Sequence, residues 1–386
     1  MKRIAERVAE RTGGGRGTGA GAAALASAWP VIVGLVLAWL LQQWIAPVVG
    51  PFYAKIILDI GIAIVAASAL NIVNGFAGQF SIGHAGFMMV GGYVAAWLTY
   101  YGSIRLWGSP GLHGGFLGGG DLLFLLGCVV GGAVAAVAGL VVGLPSLRLR
   151  GDYLAIVTLG FGEIVRVLIQ RTGDVLGPAE AARTSLPGEL GRLGGALGFP
   201  GLPTYTRIFY VYAAVTIVVV CAYRLKIASR GRALLAVREN EVAAEAVGIH
   251  TARVKVSAFV MSALFAGIGG GLFAHELGTT LNPRELGFQK SIDLVIMVVI
   301  GGMGSISGVV VAAVILTVMP ELFREFSDYR MPIYALALII VMIVRPSGLF
   351  GIHELWDTRL WRRIVGNRRG PRAIARAARP GPGGSP

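Results

Sequence analysis

Charge is scarce in this chain: 14% of its 386 residues are Asp, Glu, Lys or Arg, against roughly 25% in a soluble domain. In its place stand 55% hydrophobic residues and 58 glycines, with a mean hydropathy of +0.71. A surface with so few ions has to face lipid, which excludes a disordered chain and an ordinary water-soluble one. Cysteine is nearly absent too. Cys128 and Cys221 both lie inside apolar runs, so they supply neither a disulfide framework nor zinc-ligand spacing, and they leave the redox compartment open. Catalytic constellations are also missing. His275–Glu276 is followed by Thr279 where a zinc protease needs its second histidine. Gly304–Ser305–Ile306–Ser307–Gly308 has the wrong spacing for a nucleophile elbow. No G-x-x-x-x-G-K-S/T phosphate loop occurs, so any ATP use belongs to another chain, and no metal cluster is visible. Conduction or transport is the class that remains.

Of the net charge of +14, +13 sits in three blocks, with +3 in residues 1–28, +4 in 223–256 and +6 in 346–386. Each block flanks an apolar segment. That is how Lys and Arg hold loops on the cytoplasmic side of a bilayer, and it argues against a nucleic-acid partner. About 20 apolar residues make one helical crossing. On that ruler ten spans are predicted, at 29–46, 52–73, 77–101, 121–143, 152–170, 207–225, 254–275, 288–303, 306–320 and 332–346. The Gly-rich middle of 288–320 also fits a hairpin or re-entrant element. The run from Val31 to Ile45 has no small-residue cleavage site after it and reads as a retained first span. An even count puts both termini on one side. With that side cytoplasmic, the inner segments, including the Arg148/Arg150 turn, hold 23 of the 34 Lys/Arg and the outer loops hold eight. The expected organisation is a basic cytoplasmic extension over 1–28, a transmembrane domain over 29–346 and a basic cytoplasmic tail over 347–386. The outer loop 171–206 is long enough to be partly ordered and to dock an external partner. Within the tail, Ile352, Trp356, Leu360 and Ile364 share one face, which predicts an interfacial amphipathic helix over 352–365 against membrane lipid, with disorder from about 366.

Polar groups inside spans are few. The segment Asn71–Gly92, NIVNGFAGQFSIGHAGFMMVGG, places five polar side chains and six glycines at membrane depth. Two readings stand. In one, a Gly-broken helix frees backbone groups to line a cavity; in the other, a Gly seam packs tightly with Gln79 and His84 bonded to neighbours. The first makes Asn71, Gly78, Gln79, Ser81 and His84 a substrate path, joined by Gly160 and Glu163 of the fifth span. Lys55/Asp59 and Glu163/Arg166 each share a helix face by spacing, either as self-neutralised pairs or as lining of that path. Asp293 has no obvious local partner. Gly302–Ile306 repeats Gly78–Ile82 at three of five positions.

The run RLRGDYLAIVTLGFGEIVRVL (Arg148–Leu168) resembles the LivM branch of permease subunits of branched-chain amino-acid ABC importers. So do GRALLAVRENEVAAEAVGIHTARVKVSAF (Gly231–Phe259), SALFAGIGGGLFA, VIGGMGSISGVVVAA and VRPSGLFG (Val344–Gly351), and together the resemblance covers roughly residues 50–351. It implies an all-α polytopic permease of a bacterial inner membrane, not an enzyme and without a cofactor of its own. It also implies a second, LivH-like permease, two cytoplasmic ATPases that hold ATP and magnesium, and an external substrate-binding protein. The cargo would be Leu, Ile, Val or related amino acids, or urea and short amides as in a sister branch. Residues Gly231 to Gly248, with Arg232, Arg238, Glu239, Glu241 and Glu245, fall at the coupling loop (226–253) that docks an ATPase, and a single short helix is expected there. The chain departs from the family at two places. The E-A-A…G pattern is degenerate, with Val242 after Glu241. After the fifth span, where T-G-G-x-x-G-I is usual, the chain reads RTGDVLGPAEAARTS, which bears on the cargo. Rival readings are an ion-driven secondary transporter, for which 71–92 offers no carboxylate, an intramembrane enzyme and an exporter.

Overall fold

The computed structural model describes residues 19–45, 47–146, 152–181, 183–276, 280–324, 330–345, 348–351 and 354. The basic stretch 1–18, the Arg148/Arg150 turn, and the tail positions at which an amphipathic helix (352–365) and disorder (from about 366) are expected, Glu354 apart, lie outside the described residues. The helices among those described are α1 (Gly19–Trp44), α2 (Pro51–Asn71), α3 (His84–Trp107), α4 (Gly119–Ser146), α5 (Asp152–Gln170), the short α6 (Pro178–Ala181) and α7 (Leu186–Leu190), α8 (Ile208–Ile227), α9 (Ser229–Glu239), α10 (Glu241–Ala246), α11 (Thr251–Glu276), α12 (Phe288–Gly301), α13 (Ile306–Leu322) and α14 (Arg330–Val344). The fold is helical, as the composition requires. The strands among the described residues are the two-residue β1 (Phe199–Pro200) and β2 (Thr280–Leu281), paired antiparallel. Five helices are long and apolar enough to cross a membrane: α2 with a π turn at Ile72–Phe76, α4, α5, α8 and α11. Ala28–Trp44 and α13 are shorter apolar helices.

Local chemistry sets the boundaries. Pro51 opens α2, where its fixed φ suits the first turn. Gly108, at φ +76°, closes α3 with its N–H on the Ile104 carbonyl. Ser305 caps α13 by accepting from the Gly308 N–H at 3.1 Å. The core lies between α3, α4 and α11, where small residues let backbones touch. A Cβ on Gly91 of α3 would collide with the Gly267 backbone of α11, and one on Gly131 of α4 would collide with the Gly91 carbonyl. Tyr93, Tyr101, Phe124 and Tyr205 fill the wider part of this core.

The two ends of the bundle differ. One carries α9 and α10. The other carries the 171–207 connection, which is partly ordered as its length suggested, with α6, α7 and β1. Tyr100 and Tyr101 hold it by donating their hydroxyls to the Leu176 and Arg192 carbonyls at 3.2 and 2.9 Å, and Arg105 pairs with Glu189 at 2.7 Å.

The third predicted span does not begin at 77. Residues 77–83 are non-helical and rise from the α9 end into the bundle before α3 starts at His84. Asn74 accounts for this, because its side chain accepts from the Ser81 N–H at 3.1 Å and donates to the Ser81 carbonyl at 3.3 Å. These bonds satisfy backbone groups that a helix would otherwise have paired. Ile82 donates to Thr158 Oγ1 of α5, and Ala85 to Ser291 Oγ of α12, each at 3.1 Å. Ser291 lies about 15 Å from the Gly301 end of α12 at 1.5 Å per residue, so α3 begins deep in the bundle. The 288–320 region is a helical hairpin, α12 turning through Gly302–Ser305 into α13, with Gly301 packed against Gly308 and Val309.

Candidate functional site

Two helix connections meet at the α9 end. Asn71, in the last turn of α2, accepts from the Gly304 N–H at 2.9 Å and donates to the Ser305 carbonyl at 3.1 Å, so it holds one amide and one carbonyl of the α12–α13 turn. Arg238 of α9 reaches the same place. Its Nη1 donates to the Gly75 carbonyl at 2.6 Å and to the Met303 carbonyl at 3.3 Å. These are oxygens that lack a helical partner because the π turn and the hairpin end there. The Arg238 side chain lies over Gly78, whose φ of +65° and contact with Arg238 Cγ leave no room for a Cβ. Lys226, at the end of α8, donates to the Gly304 carbonyl at 2.8 Å and to Glu354 at 2.5 Å. Glu354 also accepts from the Ile306 and Ser307 amides and from Ser307 Oγ, at 3.2, 3.0 and 2.7 Å. A carboxylate is well placed there, at the N-terminus of α13. Burial pushes the Glu354 carboxyl up, but the bonds from Lys226, Ser307 and the two amides outweigh it and hold the group below the ordinary glutamate range.

The segment expected as one coupling helix is two helices. Asn240 leaves helical φ/ψ and caps α10 by accepting from the Ala243 N–H at 3.0 Å, so the 231–248 stretch breaks into α9 and α10. Several of its charges turn toward the bundle. Glu241 pairs with Lys255 of α11 at 2.5 Å and Glu245 accepts from Thr251 at 2.6 Å, whereas Arg232 stays exposed and donates locally to the Ile227 carbonyl at 3.0 Å. Gly231 packs on the Leu225 carbonyl, and Gly248 at φ +87° ends the unit.

Deeper in the bundle the start of α3, the start of α12 and the middle of α5 enclose a narrow crevice lined by Gly83, Gly86, Gly162, Glu163, Gly287 and Ser291. Two helix N-termini, each carrying partial positive charge, face each other here. Glu163 pairs with Arg166 at 2.7 Å, and Arg166 donates on to Gln170 at 3.2 Å.

The residues expected to line a path therefore fall into three places. Asn71 and Gly78 sit in the clamp with Arg238. Gln79, Ser81 and His84 are buried along the rising segment. Gln79 Oε1 and His84 Nε2 there have no partner among the described residues. Gly160 lies on the open side of α5, where nothing stands over it, while Glu163 lines the crevice between α3, α5 and α12. Lys55 bonds Glu276 at 2.8 Å more closely than Asp59 at 3.7 Å, and Asp293 meets Gln289 at 3.5 Å. His275 is a packing residue, joining Thr99 Oγ1 and the Gly271 carbonyl at 2.7 and 2.9 Å. Sequence reasoning missed Lys226, Glu354, Thr158 and Ser291. The repeat at 302–306 was the one signal that pointed near them.

The family described as "Branched-chain amino acid transport system / permease component" matches residues 52–345. The chain is 36% identical to the high-affinity branched-chain amino acid transport system permease protein LivM of Escherichia coli (strain K12), over 306 residues that cover 75% of this chain and 67% of that one. A shorter match, 33% identical over 127 residues and covering 32% of this chain and 41% of the other, is to the permease protein LivH of Salmonella typhimurium. A probable LivM of Methanocaldococcus jannaschii is 23% identical over 77% of this chain and 92% of its own. No solved structure matches. By the extent of these matches, and with long apolar helices that suit a multi-pass membrane protein, the chain belongs to the family of branched-chain amino acid transport system permease components.

Proposed function

We propose that this chain is the transmembrane permease subunit of an ATP-driven importer in a bacterial inner membrane, moving branched-chain amino acids handed over by an external substrate-binding protein. A LivH-like second permease and two cytoplasmic ATPases complete the assembly. ATP and magnesium belong to the ATPases, and this chain makes no bond. The observation that carries the reading is Arg238. It sits on the loop assigned to ATPase docking and bonds directly to the ends of both helix connections, so a shift of α9 and α10 moves Gly75 and Met303 together. Coupling needs ATP to favour one global arrangement over another, and this contact gives the docking surface a handle on the bundle.

Reconstitution of the complex in proteoliposomes tests the proposal. Labelled Leu, Ile and Val should enter only with ATP and the binding protein present. Uptake driven by an ion gradient without ATP would defeat it, and uptake of urea in place of amino acids would move the cargo to the amide branch.

A further inference from the structure

α4 and α11 pack through glycine along most of their shared length, but less tightly toward the α9/α10 end. A Cβ on Gly132 or Gly139 of α4 would collide with α11, whereas one on Gly143 would meet Phe259 at an ordinary 3.4 Å. The helices part there. An open groove of about 570 Å³ runs beside the parting, within the size range of sites that hold one small molecule. Its wall is a single stripe of α11, in which Arg253, Val256, Ser257, Val260, Met261 and Leu264 recur at three- and four-residue steps, faced by Leu144 of α4. Ser257 adds no free donor, because its hydroxyl bonds the Val254 carbonyl at 2.7 Å. Charge in the groove is confined to Arg253, in the first turn of α11. That side chain is exposed and makes no ion pair or hydrogen bond among the described residues, whereas Lys255 is buried and pairs with Glu241. From Arg253 to Leu264 the groove descends about 16 Å at 1.5 Å per residue, about half of the ~30 Å hydrocarbon core.

We propose that this groove binds one anionic phospholipid of the leaflet at the α9/α10 end, with the phosphate on Arg253 and an acyl chain along Val256, Val260 and Leu264. The inference needs α4 and α11 to span a membrane, and it holds whatever the cargo and whatever drives transport. The groove's own chemistry selects the occupant. An unpaired guanidinium at headgroup level takes a phosphate through two parallel hydrogen bonds, the wall below it is apolar, and the depth is that of one leaflet. A soluble domain would reach Arg253 but not the wall, and an apolar helix would cover the wall but leave the guanidinium uncompensated. The headgroup is net negative, because choline or ethanolamine would set a second cation beside Arg253. A lipid seated there ties α4 to the first turns of α11, directly after α10.

The test is native mass spectrometry of the full-length chain, purified in detergent with the partners it retains and titrated with dioleoylphosphatidylglycerol or, in parallel, dioleoylphosphatidylcholine. Phosphatidylglycerol should be retained in preference. Arg253→Gln should lower its retention about 5-fold, the share of one cation near a membrane surface, with little change for phosphatidylcholine. Arg230→Gln removes an exposed cation of α9 at the same end and should leave phosphatidylglycerol retention as it was. Equal losses in the two variants, or equal retention of the two lipids by the unaltered chain, would overturn the proposal, since either means surface attraction without a site. Benzoylphenylalanine in place of Val260 then reports the occupant in the membrane. Phospholipid adducts support the assignment, and capture of a protein chain there would overturn it by giving the groove to a partner.

Discussion

The α2–α3 and α12–α13 connections share a Gly-x-x-Ser-Ile run and lie at the same end of the bundle, yet they are built in opposite ways. Residues 77–83 are held mainly from within, by Asn74 folding onto Ser81 only seven residues away. The Gly302–Ser305 turn is held from afar, by Asn71, Lys226, Arg238 and Glu354. The first therefore keeps its shape by local chemistry and rises as a wall, while the second is tight and depends on four other parts of the chain. Similar short sequences thus mark a similar place in the fold, but the supports determine the shape. The difference also suggests which connection transmits motion, since a turn fastened to distant elements moves when they do.

The comparison breaks most severely at Arg238, the side chain that touches both connections. Arg238→Ala should cut ATP-driven uptake by at least ~10-fold, since each charge-assisted bond it removes is worth ~1.5–3 kcal/mol. Arg238→Lys should restore part of the activity through a single bond, and an uptake assay separates the two. Next is Asn71→Leu, which leaves the buried Gly304 N–H and Ser305 carbonyl unpaired at roughly 1–3 kcal/mol each. The purified protein should melt several degrees lower, with the loss confined to the α12–α13 side in hydrogen exchange. Gly78→Ala should cost ~1–2 kcal/mol for a left-handed residue, plus displacement of Arg238, and it should lower uptake less than Arg238→Ala does. The smallest effect concerns pH. The folded-state pKa of Glu354 is depressed, so its contribution is fully present above the ordinary glutamate value of about 4.3 and is lost as pH falls through the folded value. Thermal melts should show an acid-side loss that Glu354→Gln abolishes, while between pH 6 and 8 both proteins should be insensitive.

Much of the architecture was readable from composition, because scarce charge and ~20-residue apolar runs leave helices as the structure that satisfies backbone groups in lipid. The Glu163–Arg166 pair was readable from its spacing, and the ordered 171–207 connection from its length. The start of α3 was not, since periodicity cannot show that Asn74 will divert seven residues from helix. Nor was the break at Asn240, where a capping side chain outweighs helical propensity on both sides. The clamp was unreadable for a plainer reason. Its bonds join residues 163 and 128 positions apart and end mostly on backbone oxygens and amides, which leave no mark in side-chain chemistry.

The Glu354 contact has a consequence for the order in which the molecule is made. During synthesis α8, α12 and α13 all leave the ribosome before residue 354, and domains take shape as they emerge. Until Glu354 arrives, the first amides of α13 lack their carboxylate and Lys226 lacks its counter-ion. The turn between α12 and α13 is thus completed by a residue made only after every helix it joins has been synthesised.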